Sequence, residues 1–389
     1  LRAGRARACL LGFVSLLAVF PNVPTAFTQE HTRPRKASTP TDSPGTNAKP
    51  GAEVASGAQQ PTAKGESQKP SGQTGAQGAE ALDEDEVVKI ESSEVLLPVT
   101  VRDATGRLVT ELTRRDFRVF EDGREQPLSD LSLKEVPVDV ALLLDTSSSA
   151  ADSFDDFRRA VEQFAGRLAV EDRFSLIKFD DRVELLLDWT KSRLQLRRAL
   201  GRLTTGVFTR FNDALMLSAR EQFRKDQRRR ALVVLSDGID SNRGAATTEA
   251  ALGALLESQV AVYVIANTEI ERARKQAELD NLLGGSDSAV RFNQLRVGDL
   301  REGLRVLDAS ERNLEQLTHA TGGRLYKPQS FDALDRVYAE IAEELRHQYA
   351  LYYTPTNAAR DGRFRRVAVE VPGHPYEVNT RVGYFAPRR

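Results

Sequence analysis

Two hydrophobic periodicities divide this chain. Val138 to Leu144 reads Val-Asp-Val-Ala-Leu-Leu-Leu and ends on Asp145, and Ala231 to Leu235 reads Ala-Leu-Val-Val-Leu and ends on Ser236-Asp237. Short, nearly continuous apolar runs mark strands buried on both faces, as in a parallel sheet. The pattern predicts strands at 138–145, 173–179, 183–187, 230–236, 260–266 and 324–327. A 3.6-residue period between them predicts helices at 154–168, 193–203, 212–223, 247–257, 311–321 and 334–346. Alternating strand and helix predict an α/β fold with a doubly wound, mostly parallel sheet.

The flanks follow a period of two instead. Val95, Leu97, Val99 and Val101 alternate with other residues, Phe117-Arg118-Val119-Phe120 follows, and Glu121-Asp122-Gly123-Arg124 is a hairpin signal. Towards the other end Tyr349, Leu351 and Tyr353 alternate, as do Val367, Val369 and Val371, and Tyr384-Phe385 adds aromatic mass. Some fifty residues of strand with one apolar face are marginal alone. The two ends are therefore expected to pair: a β-rich segment at 87–136 and a β segment at 349–389 form a small β-sandwich-like domain, with an α/β domain at 137–348 inserted between them. Within that domain, residues 267–308 form a charged, partly helical insertion far longer than an ordinary βα loop. It leaves from the carboxyl end of a strand, either as a decoration or as a specificity element.

Composition sets the remaining boundaries. Arg2, Arg5 and Arg7 precede an apolar stretch from Ala8 to Phe20, then Pro21, Pro24 and the small residues Thr25 and Ala26. Residues 1–27 read as a signal peptide, with a retained N-terminal anchor as the alternative, and they place the protein in the secreted or periplasmic and envelope compartment. Residues 28–86 are a disordered linker: Pro, Gly, Ser, Thr, Gln, Ala and Lys dominate, and the acidic patch Asp83-Glu84-Asp85-Glu86 closes it. The lone cysteine, Cys9, falls in the targeting segment, so no disulfide or thiol chemistry is expected of the mature chain. A formal charge of −1 without a concentrated basic run gives no footprint for nucleic acid.

The chemistry lies where the two apolar runs end. In open α/β sheets, ligands bind beyond the carboxyl ends of the strands, which brings Asp145 and Asp237 to one rim. Asp145-Thr146-Ser147-Ser148-Ser149, extended, would turn Asp145, Ser147 and Ser149 to one side. Thr209 contributes a further hydroxyl. Hydroxyls and carboxylates without His or Cys select Mg²⁺, Mn²⁺ or Ca²⁺. If the hydroxyls bind directly and the carboxylates act partly through water, the metal stays electrophilic and can take an outside carboxylate.

These residues carry a family resemblance. Asp145-Thr146-Ser147-Ser148-Ser149, Thr209-Arg210-Phe211-Asn212-Asp213-Ala214 and Leu235-Ser236-Asp237-Gly238, in that order, resemble the von Willebrand factor type A domain and its metal-ion-dependent adhesion site (MIDAS). The resemblance implies Ser147, Ser149 and Thr209 as direct ligands, with Asp145 and Asp237 acting mainly through water. Val99–Gly106, Leu112–Phe117, Phe120–Gly123 and Arg381–Pro387 resemble a bacterial secreted subfamily, the VWFA-related domain proteins. Phe208 and Arg210 depart from the small residues usual around that threonine: Phe208 packs in the core with Arg210 solvated, or Arg210 draws in an acidic ligand. Asp240 reads as a surface turn residue.

The resulting expectation is a non-enzymatic adhesion or protein-binding module that grips an exposed Asp or Glu of a partner protein through a divalent cation. A structural envelope scaffold and a metal-dependent hydrolase are the alternatives. None of His31, His319, His347 and His374 has a spacing that makes it a base for Ser147 or Ser149, and no Gly-x-x-x-x-Gly-Lys loop occurs.

Overall fold

The computed structural model describes residues 94–132, 136–147, 154–223 and 228–388. The expected signal peptide and linker lie outside the described residues. Strands β1 (Val95–Arg102), β2 (Arg118–Glu121), β3 (Arg124–Gln126) and β4 (Leu128–Ser132) come first. They are followed by β5 (Val138–Asp145), α1 (Phe154–Arg167), β6 (Arg173–Phe179), β7 (Val183–Thr190), α2 (Arg193–Leu200) and α3 (Phe211–Leu217). Then come β8 (Arg229–Leu235), α4 (Thr248–Glu257), β9 (Ala261–Ile265), α5 (Thr268–Leu283), α6 (Asp287–Phe292) and α7 (Gln294–Thr321). The chain finishes with β10 (Leu325–Tyr326), α8 (Leu334–His347), β11 (Tyr349–Tyr353), β12 (Phe364–Glu370), β13 (Glu377–Asn379) and β14 (Gly383–Phe385).

The fold is α/β, as the alternation of strand and helix predicts. A six-stranded sheet runs β10-β9-β8-β5-β6-β7, parallel except for β7, which is antiparallel to β6. Every residue of β5 is buried. Its alternation sends Val138, Val140, Leu142 and Leu144 into a core with α1, α2 and α8, and Ala141 and Leu143 into a second core with α3, α4 and α7. A strand covered on both faces is apolar through its centre, Val140 to Leu144, and the one buried charge before it, Asp139, is paired with Arg173 and Arg228.

Strands from the two ends of the described chain form two antiparallel sheets, ordered β13-β1-β11-β4 and β14-β12-β2-β3. Val95, Leu97 and Val99 of β1 lie opposite Tyr353, Leu351 and Tyr349 of β11. Both sheets contribute to one apolar core, where the hydroxyls of Tyr353 and Tyr384 donate to the buried Glu121 carboxylate, each at 2.8 Å.

Two stretches differ from the sequence expectation. The helix expected over 212–223 is α3 followed by a single π turn at Ser218–Gln222. There the Ser218 hydroxyl donates to the Ala214 carbonyl at 2.7 Å, competing with the regular ladder. The insertion is helical along nearly its whole length. α5 and α6 lead into α7, whose 28 residues absorb the helix expected at 311–321. Leu279, Val297 and Leu300 give the insertion a small core of its own, and Arg272 clamps it to Asp308 at 2.6 Å and Glu311 at 2.9 Å. Gly322, at φ 75°, ends α7 in the left-handed region that a side chain disfavours. Among the described residues no helix is long and apolar enough to cross a membrane.

A buried carboxylate joins the six-stranded sheet to the antiparallel layer. Glu344 of α8, fully buried, accepts from Thr100 Oγ1 at 3.2 Å and Arg102 Nη2 at 2.5 Å on β1. It also accepts from Tyr263 OH of β9 at 3.2 Å. Gln348 adds donors to Thr100 Oγ1 and Tyr263 OH. Burial, then the Glu344 charge, push the Tyr263 phenol well above its usual range, so it remains a donor at all ordinary pH. Removing one partner of a buried ion pair costs about 3–5 kcal/mol, because the other charge is left uncompensated. Glu344→Ala should therefore lower the unfolding free energy from urea melts by that order, with a lower midpoint, and Glu344→Gln, which keeps the acceptor oxygen, by less. A midpoint unchanged in Glu344→Ala would show that the network carries no stability.

Candidate metal centre

Parallel pairing of β5 with β8 sets Leu144 opposite Leu235, so both strands end at the same level. Asp145 is the last residue of β5 and is buried. Its Oδ1 accepts from the Ser147 amide at 2.9 Å and its Oδ2 from the Ser236 hydroxyl at 2.7 Å. Ser236 in turn accepts from the Gly238 amide at 3.0 Å. Gly238 sits at φ 73°, which turns the chain just past Asp237. Asp237, half-buried, accepts at Oδ1 from the Ile239 amide at 2.9 Å.

The threonine loop is tied to both carboxylate loops. The Gly206 amide donates to the Thr146 carbonyl at 3.0 Å, forming a parallel bridge between Ser147 and Gly206. The Thr209 amide donates to Ser241 Oγ at 2.9 Å, and the Ser241 amide returns a bond to the Thr209 carbonyl at 2.9 Å. Asp240 Oδ2 accepts from the Asn212 amide at 2.9 Å, at the start of α3. Asp181 accepts from the amides of Val207 and Phe208, both at 3.0 Å. Four of the five expected ligand residues, Asp145, Ser147, Thr209 and Asp237, thus stand in three cross-bonded loops. The fifth, Ser149, lies outside the described residues.

Of three neighbours, Phe208 settles differently from its expected place in the core, while Arg210 stays partly exposed and Asp240 lies in the loop. Phe208 does not enter the core. It is half-buried, with the Arg243 guanidinium 3.8 Å from its ring centroid. Arg210 leans on Asp213 at 3.7 Å. Asp240 is a loop fastener rather than an idle turn residue. Other supporting groups escaped the sequence reading altogether: Ser236, Asp181 and Ser241. Ser236 alone left a signal, as the polar residue between an apolar run and Asp237.

Electrostatics favours a cation here. Burial, and then the Asp145 charge, push the Asp237 carboxyl up to about 7. Burial likewise raises Asp145, against the bonds from Ser147 and Ser236. Among the described residues neither carboxylate has a Lys or Arg within ion-pair distance. Nor do three His, Cys, Asp or Glu side chains converge anywhere among them, so a cation at this rim must draw on hydroxyls. Hard oxygen donors with two uncompensated carboxylates fit Mg²⁺, Mn²⁺ or Ca²⁺. The helical insertion adjoins the same loop: Ser310 of α7 donates to the Asp237 carbonyl at 2.5 Å, and Glu271 and Lys275 of α5 act on the Asp237 charge.

Residues 140–239 match the family model of the von Willebrand factor type A domain. No curated protein matches the chain in sequence. Among solved structures, proximal thread matrix protein 1 from the mussel byssus is 13% identical with a TM-score of 0.40, over 58% of this chain and 51% of that one. The chain thus spans about half the length of the mussel protein, which has also been solved with a zinc-occupied MIDAS motif. An aerotolerance-related membrane protein from Bacteroides fragilis is 17% identical with a TM-score of 0.37, over 54% of this chain and 98% of that one. The vWF domain of the type V pili tip protein Mfa5 from Porphyromonas gingivalis is 22% identical with a TM-score of 0.26, over 28% and 43%. At these scores the site stands on this chain's own residues.

The Asp181 clamp can be tested directly. Bonds from the Val207 amide first, and the Phe208 amide second, hold its carboxyl below the usual range. A depressed folded value means the clamp is intact above the ordinary carboxylate pKa and fails as pH falls through the depressed one. Amide exchange at Val207 and Phe208 should accelerate in Asp181→Ala at neutral pH, and in the wild type only in acid. Equal protection in both proteins would remove Asp181 from the loop's support.

Proposed function

We propose, from the match of residues 140–239 to the family model of the von Willebrand factor type A domain, that the chain is a metal-dependent protein-binding module. A divalent cation, Mg²⁺ or alternatively Mn²⁺ or Ca²⁺, would be held by Asp145, Ser147, Ser149, Thr209 and Asp237. When bound, it supplies an electrophilic point for a carboxylate, and the partner is a protein with an exposed Asp or Glu. The observation that carries this reading is the pairing of two carboxylates at adjacent strand ends, with no cation of the protein's own within ion-pair distance among the described residues. Such an arrangement is costly unless something positive arrives from outside.

The chain's own residues have distinct tasks in this reading. Ser236 orients Asp145, and the Thr209–Ser241 pair of bonds holds the threonine at the level of the carboxylates. Arg210 and Arg243 place positive charge beside the site, which favours the approach of an acidic partner. The module is non-catalytic: His347 bonds within its own helix and His374 stacks on Tyr376, so neither serves Ser147 as a base. In the same reading residues 137–348 are a domain set between β segments 87–136 and 349–389. Residues 1–27 export the chain, and residues 28–86 tether it outside the cytosol.

Calorimetry with Mg²⁺ and Mn²⁺ tests the metal, and envelope extracts test the partner. The wild type should bind either ion, and Asp145→Ala and Thr209→Ala should weaken binding by at least about tenfold. A partner captured from extract should be released by EDTA and retained poorly by Thr209→Ala. Absence of heat with both ions would reduce the chain to an envelope scaffold, and capture indifferent to EDTA would remove the cation from recognition.

A further inference from the structure

Thr146 stands between Asp145 and Ser147, and alternation turns its side chain to the opposite side from theirs. It is fully buried, and all three of its polar groups are engaged. Its amide donates to the Phe179 carbonyl at 2.9 Å, and its carbonyl accepts from the Gly206 amide at 3.0 Å. Its hydroxyl donates to Asp180 Oδ2 at 2.9 Å, with the Phe179 carbonyl second at 3.3 Å. The residue that separates two of the expected ligands is thus held through every polar atom it has.

Asp180 follows directly on β6 and is only 4% exposed. Its Oδ1 accepts from the Arg182 amide at 3.1 Å, and its Oδ2 accepts from Lys178 Nζ at 2.9 Å as well as from Thr146. Lys178 is buried to the same degree, so charge is matched where it stands. Its ammonium also donates to Thr204 Oγ1 at 3.3 Å, at the start of the loop that carries Thr209. Gly206 of that loop packs straight onto Asp180: a Cβ there would stand 2.5 Å from the Asp180 Cβ. One buried ion pair therefore touches the loops of Ser147 and of Thr209 at once. Such a pair gives little stability over apolar packing, because both charges leave water. Its directed bonds give position instead.

We propose that Thr146, Asp180 and Lys178 are positioning residues of the metal site, a brace that sets the spacing of the Ser147 and Thr209 hydroxyls without touching the cation. The inference rests on the metal-binding reading given above. Both Asp180 oxygens are occupied by donors and its charge is met by Lys178, so the brace adds geometry to the site and no further negative charge. The two hydroxyl loops are then pre-set before a cation arrives, and less ordering is left for binding to do.

Mn²⁺ calorimetry on the full chain, with amide exchange in EDTA beside it, tests the brace. Thr146→Val removes only the hydroxyl donor and leaves the Lys178–Asp180 pair whole. It should weaken Mn²⁺ binding by about tenfold or more, the usual cost of losing a group that holds a ligand in place. Thr146→Ser, which keeps the hydroxyl, should recover most of the affinity. In EDTA the Ser147 and Gly206 amides should exchange faster in Thr146→Val while those of Leu142 and Val233 stay protected, which separates a loosened loop from a loosened fold. Thr204 is exposed, and Thr204→Val, which cuts only the tie from Lys178, should weaken binding several-fold even if Thr146→Val does not fold. Affinity unchanged in Thr204→Val and in any Thr146→Val protein that folds overturns the brace. So does an equal loss in Thr146→Ser and Thr146→Val. A wild type that takes up no Mn²⁺ overturns the metal-binding reading and the brace with it, whereas a wild type that binds while the variants match it overturns the brace alone.

Discussion

The buried Glu344 carboxylate is the constraint on which the architecture turns. It sits on the last helix before the chain re-enters antiparallel sheet, with only Gln348 between α8 and β11. A charge in that position has to be matched from several directions, and its partners come from Thr100 and Arg102 on β1 and from Tyr263 on β9. Apolar contacts alone would allow α8 to slide against the sheet, because dispersion is non-directional. Directed bonds to one carboxylate fix both the depth and the rotation of the helix. The start of β11, and hence the pairing of β11 with β1, follows from that placement.

Depth of strand ending is what the metal rim inherits. Two carboxylates approach each other only because β5 and β8 are parallel neighbours in register. A shift of one residue would turn Asp145 from the rim and break its bond from Ser236, since side chains alternate between faces. Among the described residues the loops add no strand pairing beyond the Ser147–Gly206 bridge, yet side-chain bonds from Ser236, Ser241, Asp181 and Asp240 bind them to one another. The rim therefore has a rigid base and loops that are held by polar contacts. That division suits the cation site proposed above, where two carboxylates stand close together.

Legibility followed how local the signal was. β5 and β6 have the ends that their apolar runs predict, because a strand buried on both faces is largely apolar along its length. The meeting of Asp145 and Asp237 at one rim was readable because each follows directly on a short apolar strand. What the sequence hid was tertiary. Nothing in the sequence around Ser218 announces the π turn at Ser218–Gln222. Nor does the polarity of 267–308 announce a helical hairpin, whose order comes from the Arg272 clamp and three apolar residues far apart in sequence. Phe208 looked like core because aromatic residues usually are, and only the structure brings Arg243 onto its face.

A nearly neutral formal charge conceals a polarised molecule. Strand β8 begins at Arg229-Arg230 and runs into Ser236-Asp237. With a rise of about 3.3 Å per residue, its seven residues hold the two ends roughly 20 Å apart. That is more than two screening lengths in physiological salt, so neither end can neutralise the other through solvent. Each must find its counter-charge locally or from a ligand. Asp139 does this for Arg228 at the basic end, and the Ser236 and Ser147 donors do it only in part for Asp145 at the acidic end. Asp237 is the residue left in deficit, at the acidic end. Because the parallel pairing of β8 with β5 sets it beside Asp145, that deficit is a consequence of the fold itself.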